Sequence, residues 1–193
     1  ERGSKRKIDD SWIDLYDRLY EDRQLLLFQE LTGEVTANLT GLMLFLNMDD
    51  PTRELFLFIK SSGGKMVNGL TVYDTMQMIR PDVYTLCLGL AASMAAFVLA
   101  GGARKKRISF PNAWRLIHDP KTSIKGEPKN TWDGAFLDLA EITRLREAII
   151  YQYALRSGKP AWVVAEDMER DTFMSASEAK DYGLIDSIEL GRA

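Results

Sequence analysis

Short apolar runs alternate along the chain with longer segments of helical period. "SWIDLYDRLYEDR" sets Trp12, Leu15, Tyr16 and Leu19 at helical spacing, and "QLLLFQ" follows as a short strand. "TANLTGLMLFLNM" predicts an amphipathic helix, and "ELFLFIKS" a nearly all-apolar strand of the kind covered on both faces in a parallel sheet. "SSGGK" turns the chain into "MVNGLTVYDTMQMI", a helix stopped before "RPD". "RISF" and "WRLI" read as two further short strands. Strands and helices at this spacing predict repeated right-handed β-α-β crossovers and an α/β core. The segment 119–135, "DPKTSIKGEPKNTWDGA", breaks the rhythm with two prolines and two glycines and reads as a long loop or an irregular projecting strand. "FLDLAEITRLREAIIYQYALRS" is then a long helix closed by Gly158 and Pro160. In "SASEAKDYG", Ser175 and Glu178 stand at capping-box spacing, with Gly183 as the stop.

One run stands apart: Val83 to Ala103 carries no charge, yet it holds Ser93 near its middle. About 20 apolar residues would cross a bilayer as a helix, but this run divides into unlike halves. "VYTLCL" is rich in β-branched and aromatic residues, and "AASMAAFVLA" is Ala-rich. With Gly89 between them and Gly101–Gly102 as a stop, the run predicts strand, Gly turn and helix, with Ser93 at the helix start.

The 193 residues fit one domain with a substantial core, and 46% hydrophobic with 27% charged residues is ordinary for a globular protein. A net charge of −3 provides no general attraction to nucleic acid, and "RKKR" at 104–107 reads as a solvated turn. A single cysteine, Cys87, excludes an intramolecular disulfide and a multi-cysteine metal site; within "YTLCLG" it reads as a small core residue. The first residue is Glu1, which reads as a processed or trimmed product with a polar, mobile start over 1–10.

Two glycine turns, each after a core strand, bring backbone N–H groups to the carboxyl end of the sheet, where α/β folds hold ligands. Gly63 and Gly64 permit close approach, and Met94 N–H lies at a helix start where donors lack an intrahelical partner, so an oxyanion hole and a plain tight turn are both open readings. His118, the sole histidine, follows the strand "WRLI", so any histidine-assisted serine chemistry within the chain must use it. Ser93 lacks a GxSxG elbow and reads equally as an N-cap. Spacing does not single out an orienting carboxylate among the 28 acidic residues.

Longer motifs narrow this. "DTMQMIRPDVYTLCLGLAASMAAFVLAGG", "FPNAWRLIHDP" and "EDMERDTFMSASEAKDYGLIDSI" resemble the ClpP family, the proteolytic subunits of ATP-dependent Clp serine proteases, collinearly from about Trp12 to Ile188. "SWIDLYDRLYEDR" and "EDMERDTFMSA" are closest in flavour to chloroplast-encoded members. The resemblance implies a ClpP/crotonase-like α/β fold of repeated β-α-β units with a projecting handle over 119–157, all in one peptidase domain. It implies Ser93 as nucleophile, His118 as general base, Asp171 as the group orienting that base, and the Gly64 and Met94 amides as the oxyanion hole. Glu169 and Arg170 match a charge pair at ring contacts, though alone they read equally as surface charges. No metal or cofactor is implied within the chain: ATP is used by a partner AAA+ unfoldase, which feeds unfolded proteins into a chamber formed by two stacked heptameric rings. The apolar residues of the handle helix are then expected to be buried by a partner. Chloroplast stroma is the implied location, with bacterial cytoplasm second.

Departures from the family pattern are "SSGG" for SPGG, "IHDP" for IHQP and "SMAAF" for SMGSF. They leave the triad intact and point to a specialised subunit of a mixed ring. Asp119, in "IHDP", adds a carboxylate beside the base that either perturbs His118 or faces solvent. The alternatives are a non-catalytic or weakly active ring subunit, a crotonase-type enzyme that shares the fold, and a binding module.

Overall fold

The computed structural model describes residues 14–119 and 132–189; Trp12, the polar start and residues 120–131 lie outside them. Helix α1 (Leu15–Glu21) leads into β1 (Gln24–Leu27), α2 (Gly33–Asp49), β2 (Leu55–Ser61), α3 (Met66–Met78), β3 (Val83–Ala92), α4 (Met94–Ala100), β4 (Arg107–Ser109) and β5 (Trp114–Ile117). Then come α5 (Trp132–Ser157), α6 (Ala161–Glu169), β6 (Thr172–Met174), α7 (Ala176–Tyr182) and β7 (Ser187–Ile188). The order β1-β2-β3-β4-β7 is parallel throughout, with a long crossover between each pair, while β5 runs parallel beside the far end of β3 and β6 pairs antiparallel with β5.

Residue alternation along the strands sets the core. Leu25, Leu27, Leu55, Leu57, Ile59, Val83 and Cys87 are fully or almost fully buried, whereas Leu26, Phe56, Phe58, Tyr84, Leu86 and Leu88 between them are only half-buried. The all-apolar strands therefore have one fully covered face within this chain, where two were expected. On the other face Phe56 and Tyr84 stack with ring centroids 4.8 Å apart. On α2, Phe45 and Met48 are 65% and 82% exposed, which leaves an apolar stripe uncovered.

The strand around Cys87 is longer than its sequence suggests. Gly89 does not join strand to helix: β3 continues through it to Ala92, first paired with β4 (Thr85–Cys87) and then with β5 (Leu90–Ala92). Gly89 has φ 72°, and the β2 register jumps from Ile59↔Cys87 to Ser61↔Ala91, so extra residues bulge out on β3. Ala91 and Ala92 favour helix in isolation, but pairing with β2 and β5 overrides that propensity. The bulge lets one strand exchange neighbours and deliver its end to β5.

Helix α5 starts at Trp132, so residues 132–135, read above as irregular, are helical. Its second half packs on its own chain. Ile149, Ile150 and Tyr153 are buried, and Tyr153 meets the Phe97 ring edge-on at 5.3 Å. This corrects, for these three residues, the expectation of burial by a partner. The basic cluster is likewise not simply solvated: Arg107 is buried and holds both carboxylate oxygens of Asp186, through Nε at 3.0 Å and Nη2 at 2.7 Å. Burial alone would raise the Asp186 pKa, but the Arg107 hydrogen bonds outweigh it and hold it below its ordinary value. The predicted box on α7 is complete, with Gly183 left-handed at its end. Cys87 lies in the core as expected, and burial pushes its thiol pKa up. Among the described residues no helix is long and apolar enough to cross a membrane.

Candidate active site

Ser93 lies where β3 passes into α4, and its backbone is strained, with φ 55° and ψ −128°. A non-glycine residue in that region is uncommon and costs on the order of 1–3 kcal/mol. Neighbouring contacts hold it there: Ser93 N–H donates to the Leu116 carbonyl at 2.9 Å, and its own carbonyl accepts the first helical hydrogen bonds from Ala96 and Phe97. The side chain does not cap the helix, so the N-cap reading fails for the hydroxyl. From Ala91 to Ala100 every residue is buried except Ser93, which is half-buried. The chain spends strain to lift one hydroxyl out of an otherwise closed segment.

The turn after β2 abuts this serine. Gly63 has φ 95°, and a Cβ added to it would lie 2.6 Å from the Ala92 carbonyl oxygen, 2.7 Å from Ser93 Cβ and 3.0 Å from Met94 N. The turn is fastened at both ends: Gly63 N–H donates to Ser61 Oγ at 3.1 Å, and the Gly63 carbonyl accepts from Leu31 N–H at 2.8 Å. Ser61 thus anchors the turn by a side-chain hydrogen bond although "SSGG" lacks the family proline. Gly64 pairs with Leu31 in a parallel bridge whose hydrogen bond is carried by its neighbour Gly63, so the Gly64 amide is not consumed there. Met94 N–H, on the first residue of α4, has no partner within that helix. Met94 directly follows Ser93, and Gly64 directly follows the glycine that packs against it.

Strand pairing brings up the other two residues. Ala92 pairs with Leu116 on β5, two residues before His118. The antiparallel β5–β6 ladder ends at Ile117↔Thr172, and one further step in that register sets His118 opposite Asp171. The contact is made there: His118 Nδ1 lies 3.5 Å from Asp171 Oδ1, with the histidine side chain 14% exposed. Nδ1 is buried without a closer hydrogen-bond partner. The ring thus turns one nitrogen to the carboxylate, and the other is left for a different group. Among the described residues the Ser93 hydroxyl is not hydrogen-bonded to His118. Such contacts in unliganded sites often tighten only when substrate binds.

Asp119 neither bonds the base nor simply faces solvent: its Oδ1 accepts from Arg146 Nε at 2.9 Å. Glu169 is held by the same arginine at 3.4 Å, and Arg170 pairs with Glu166 at 2.8 Å on its own helix. Sequence reasoning named Gly63 as a point of close approach, and its neighbour there is Ser93; it did not single out Arg146. Arg146 stands 27 positions from Asp119 on an ordinary charged helix and has no local signature.

The chain matches the family model described as Clp protease over residues 6–191. It is 49% identical over 181 residues to the ATP-dependent Clp protease proteolytic subunit of Nicotiana tabacum, covering 93% of this chain and 90% of that protein. The subunit of the same name from Spinacia oleracea is also 49% identical, with 93% and 90% covered. That from Sorghum bicolor is 48% identical over 178 residues, 92% of this chain and 81% of that protein. With a family match over nearly its whole length and relatives at this identity, the chain belongs to the Clp protease family.

Proposed function

We propose that this chain is a serine endopeptidase subunit of a Clp-type protease, with Ser93 as nucleophile, His118 as general base and Asp171 orienting the base. One observation carries the reading: Ser93 is the single position between Ala91 and Ala100 that is not buried, in a strained conformation whose amide is tied to Leu116 on the strand that leads into His118. In the reaction, the Ser93 Oγ–H proton passes to His118 Nε2 as Oγ bonds to the substrate carbonyl carbon. The carbonyl oxygen gains the charge, and Gly64 N–H and Met94 N–H donate to it. The C–N bond then breaks and the proton on Nε2 goes to the leaving amine. Water, deprotonated by the same nitrogen, releases the acyl group and regenerates the serine. Asp171 keeps Nδ1 protonated and stabilises the imidazolium. None of these steps calls on a metal or cofactor.

The uncovered apolar stripe on α2 and the half-buried face of the sheet support assembly with further subunits of this type in stacked rings, with or without non-catalytic paralogues. Glu169 and Arg170, beside Asp171, are proposed ring contacts, and 119–157 a handle between rings within one peptidase domain. The relatives' name, an ATP-dependent protease's proteolytic subunit, supports an ATP-using partner, and their plant origin is in keeping with a plastid location; an unfoldase feeding unfolded protein substrates is what the family resemblance implies. The test is labelling of the assembled ring with a fluorophosphonate, native against Ser93→Ala, with the adduct mapped by mass spectrometry. An adduct on Ser93 that disappears in the variant supports the reading; an assembled, unlabelled native ring refutes it.

A further inference from the structure

Beyond Ile117↔Thr172 the β5–β6 ladder stops, because Asp171 takes a left-handed conformation with φ 49°. Two contacts pin the strand ends that carry His118 and Asp171. Asp119 N–H donates to the Met168 carbonyl at 2.8 Å. Arg146, reaching in from α5, donates from Nε to Asp119 Oδ1 at 2.9 Å and from Nη2 to Glu169 Oε1 at 3.4 Å. One guanidinium therefore holds the residue just after the histidine and the residue two before the aspartate.

We propose that Arg146 is a positioning residue of the peptidase site, which sets the His118–Asp171 separation by bridging Asp119 to Glu169. The inference rests on the assignment of Ser93, His118 and Asp171 above. At 3.5 Å, the imidazole–carboxylate contact sits at the outer edge of hydrogen bonding, where a shift of a few tenths of an ångström decides whether it forms. The Arg146 side chain is 30% exposed, less open than a freely solvated surface pair, whose contribution is small. Its rigid planar fork reaches two carboxylates at once, which the single ammonium of lysine does with less geometric control. Arg146 also occupies the Asp119 carboxylate. This gives the aspartate of "IHDP" a role that neither a perturbed base nor a solvent-facing charge supplies.

The test is steady-state peptide cleavage by the assembled ring, with assembly followed by sedimentation. Arg146→Met is expected to lower kcat about tenfold with KM unchanged within about twofold, because a 1 Å misplacement costs about a hundredfold and the Asp119–Met168 pin remains. Asp119→Asn, which leaves Arg146 packing in place, is expected to lose a similar factor. The double variant should lose no more than either single one, and Arg146→Lys should fall between native and Arg146→Met. Unchanged kcat in Arg146→Met, multiplicative losses in the double variant, or a loss that tracks ring dissociation overturns the proposal while Ser93→Ala remains inactive. If Ser93→Ala cleaves as fast as native, the site assignment itself fails and this inference with it.

Discussion

Replacing Gly63 with alanine tests the packing of the glycine turn on the serine. The new Cβ would sit 2.6 Å from the Ala92 oxygen and 2.7 Å from Ser93 Cβ, where carbon–carbon contacts normally lie at about 3.5–4.0 Å. Both neighbours belong to the end of β3 and the start of α4, and Ser61 and Leu31 hold the turn itself, so no flexible side-chain end can yield. Relief requires a relative shift of about 1 Å, which displaces the hydroxyl and the Met94 amide together. A misplacement of that size, or the loss of one oxyanion donor, costs about 10²–10³ in kcat. A left-handed alanine adds about 1–2 kcal/mol of instability. Gly158→Ala separates the two effects: its φ is 78°, but nothing lies within 4 Å of the added carbon. It should lose stability of that order and keep its activity. Both variants would be assayed as assembled rings for peptide cleavage and for urea midpoint. A Gly63→Ala ring with kcat within about twofold of native, and a stability loss no larger than that of Gly158→Ala, would refute the reasoning.

Three further expectations concern stability. Arg115 is fully buried with only Nη1 satisfied, by the Ala113 carbonyl, so Arg115→Met should stabilise the chain by on the order of 1–4 kcal/mol in urea unfolding. A loss of stability there would show that the packing and the Ala113 hydrogen bond of Arg115 outweigh the cost of burying its charge. Because the folded pKa of Asp186 is lowered, its tie to Arg107 contributes above the unfolded carboxylate pKa of about 3.9 and is lost as pH falls through the lower folded value. The melting temperature of native protein should therefore exceed that of Asp186→Asn at neutral pH, and the gap should close below about pH 4; a gap independent of pH would contradict this. Ser175→Ala removes the α7 cap, in which Glu178 N–H donates to Ser175 Oγ at 3.4 Å and Ser175 N–H to Glu178 Oε2 at 2.8 Å. It should cost about 1 kcal/mol, measured by chemical unfolding.

The α/β class, most of the elements and the α7 capping box were legible in the sequence because their signals are local: periodicity, turn residues and side chains that reach only three or four positions. Ser93 and His118 could be found by exclusion, as a hydroxyl in an uncharged run and a solitary imidazole. The third member could not be, since spacing carries no mark that separates Asp171 from the other acidic residues. The family resemblance points to Asp171, and strand pairing sets it against His118 by continuing the β5–β6 register. The same limit explains Gly89, read as a turn because alanines after it favour helix, yet kept in a strand by partners on β2 and β5. It also explains Arg146, whose role depends on two carboxylates brought together from separate segments. Local chemistry determined which residues could react. Register, the bulge and long-range ion pairs decided which of them meet, because those contacts join positions that no sequence window contains.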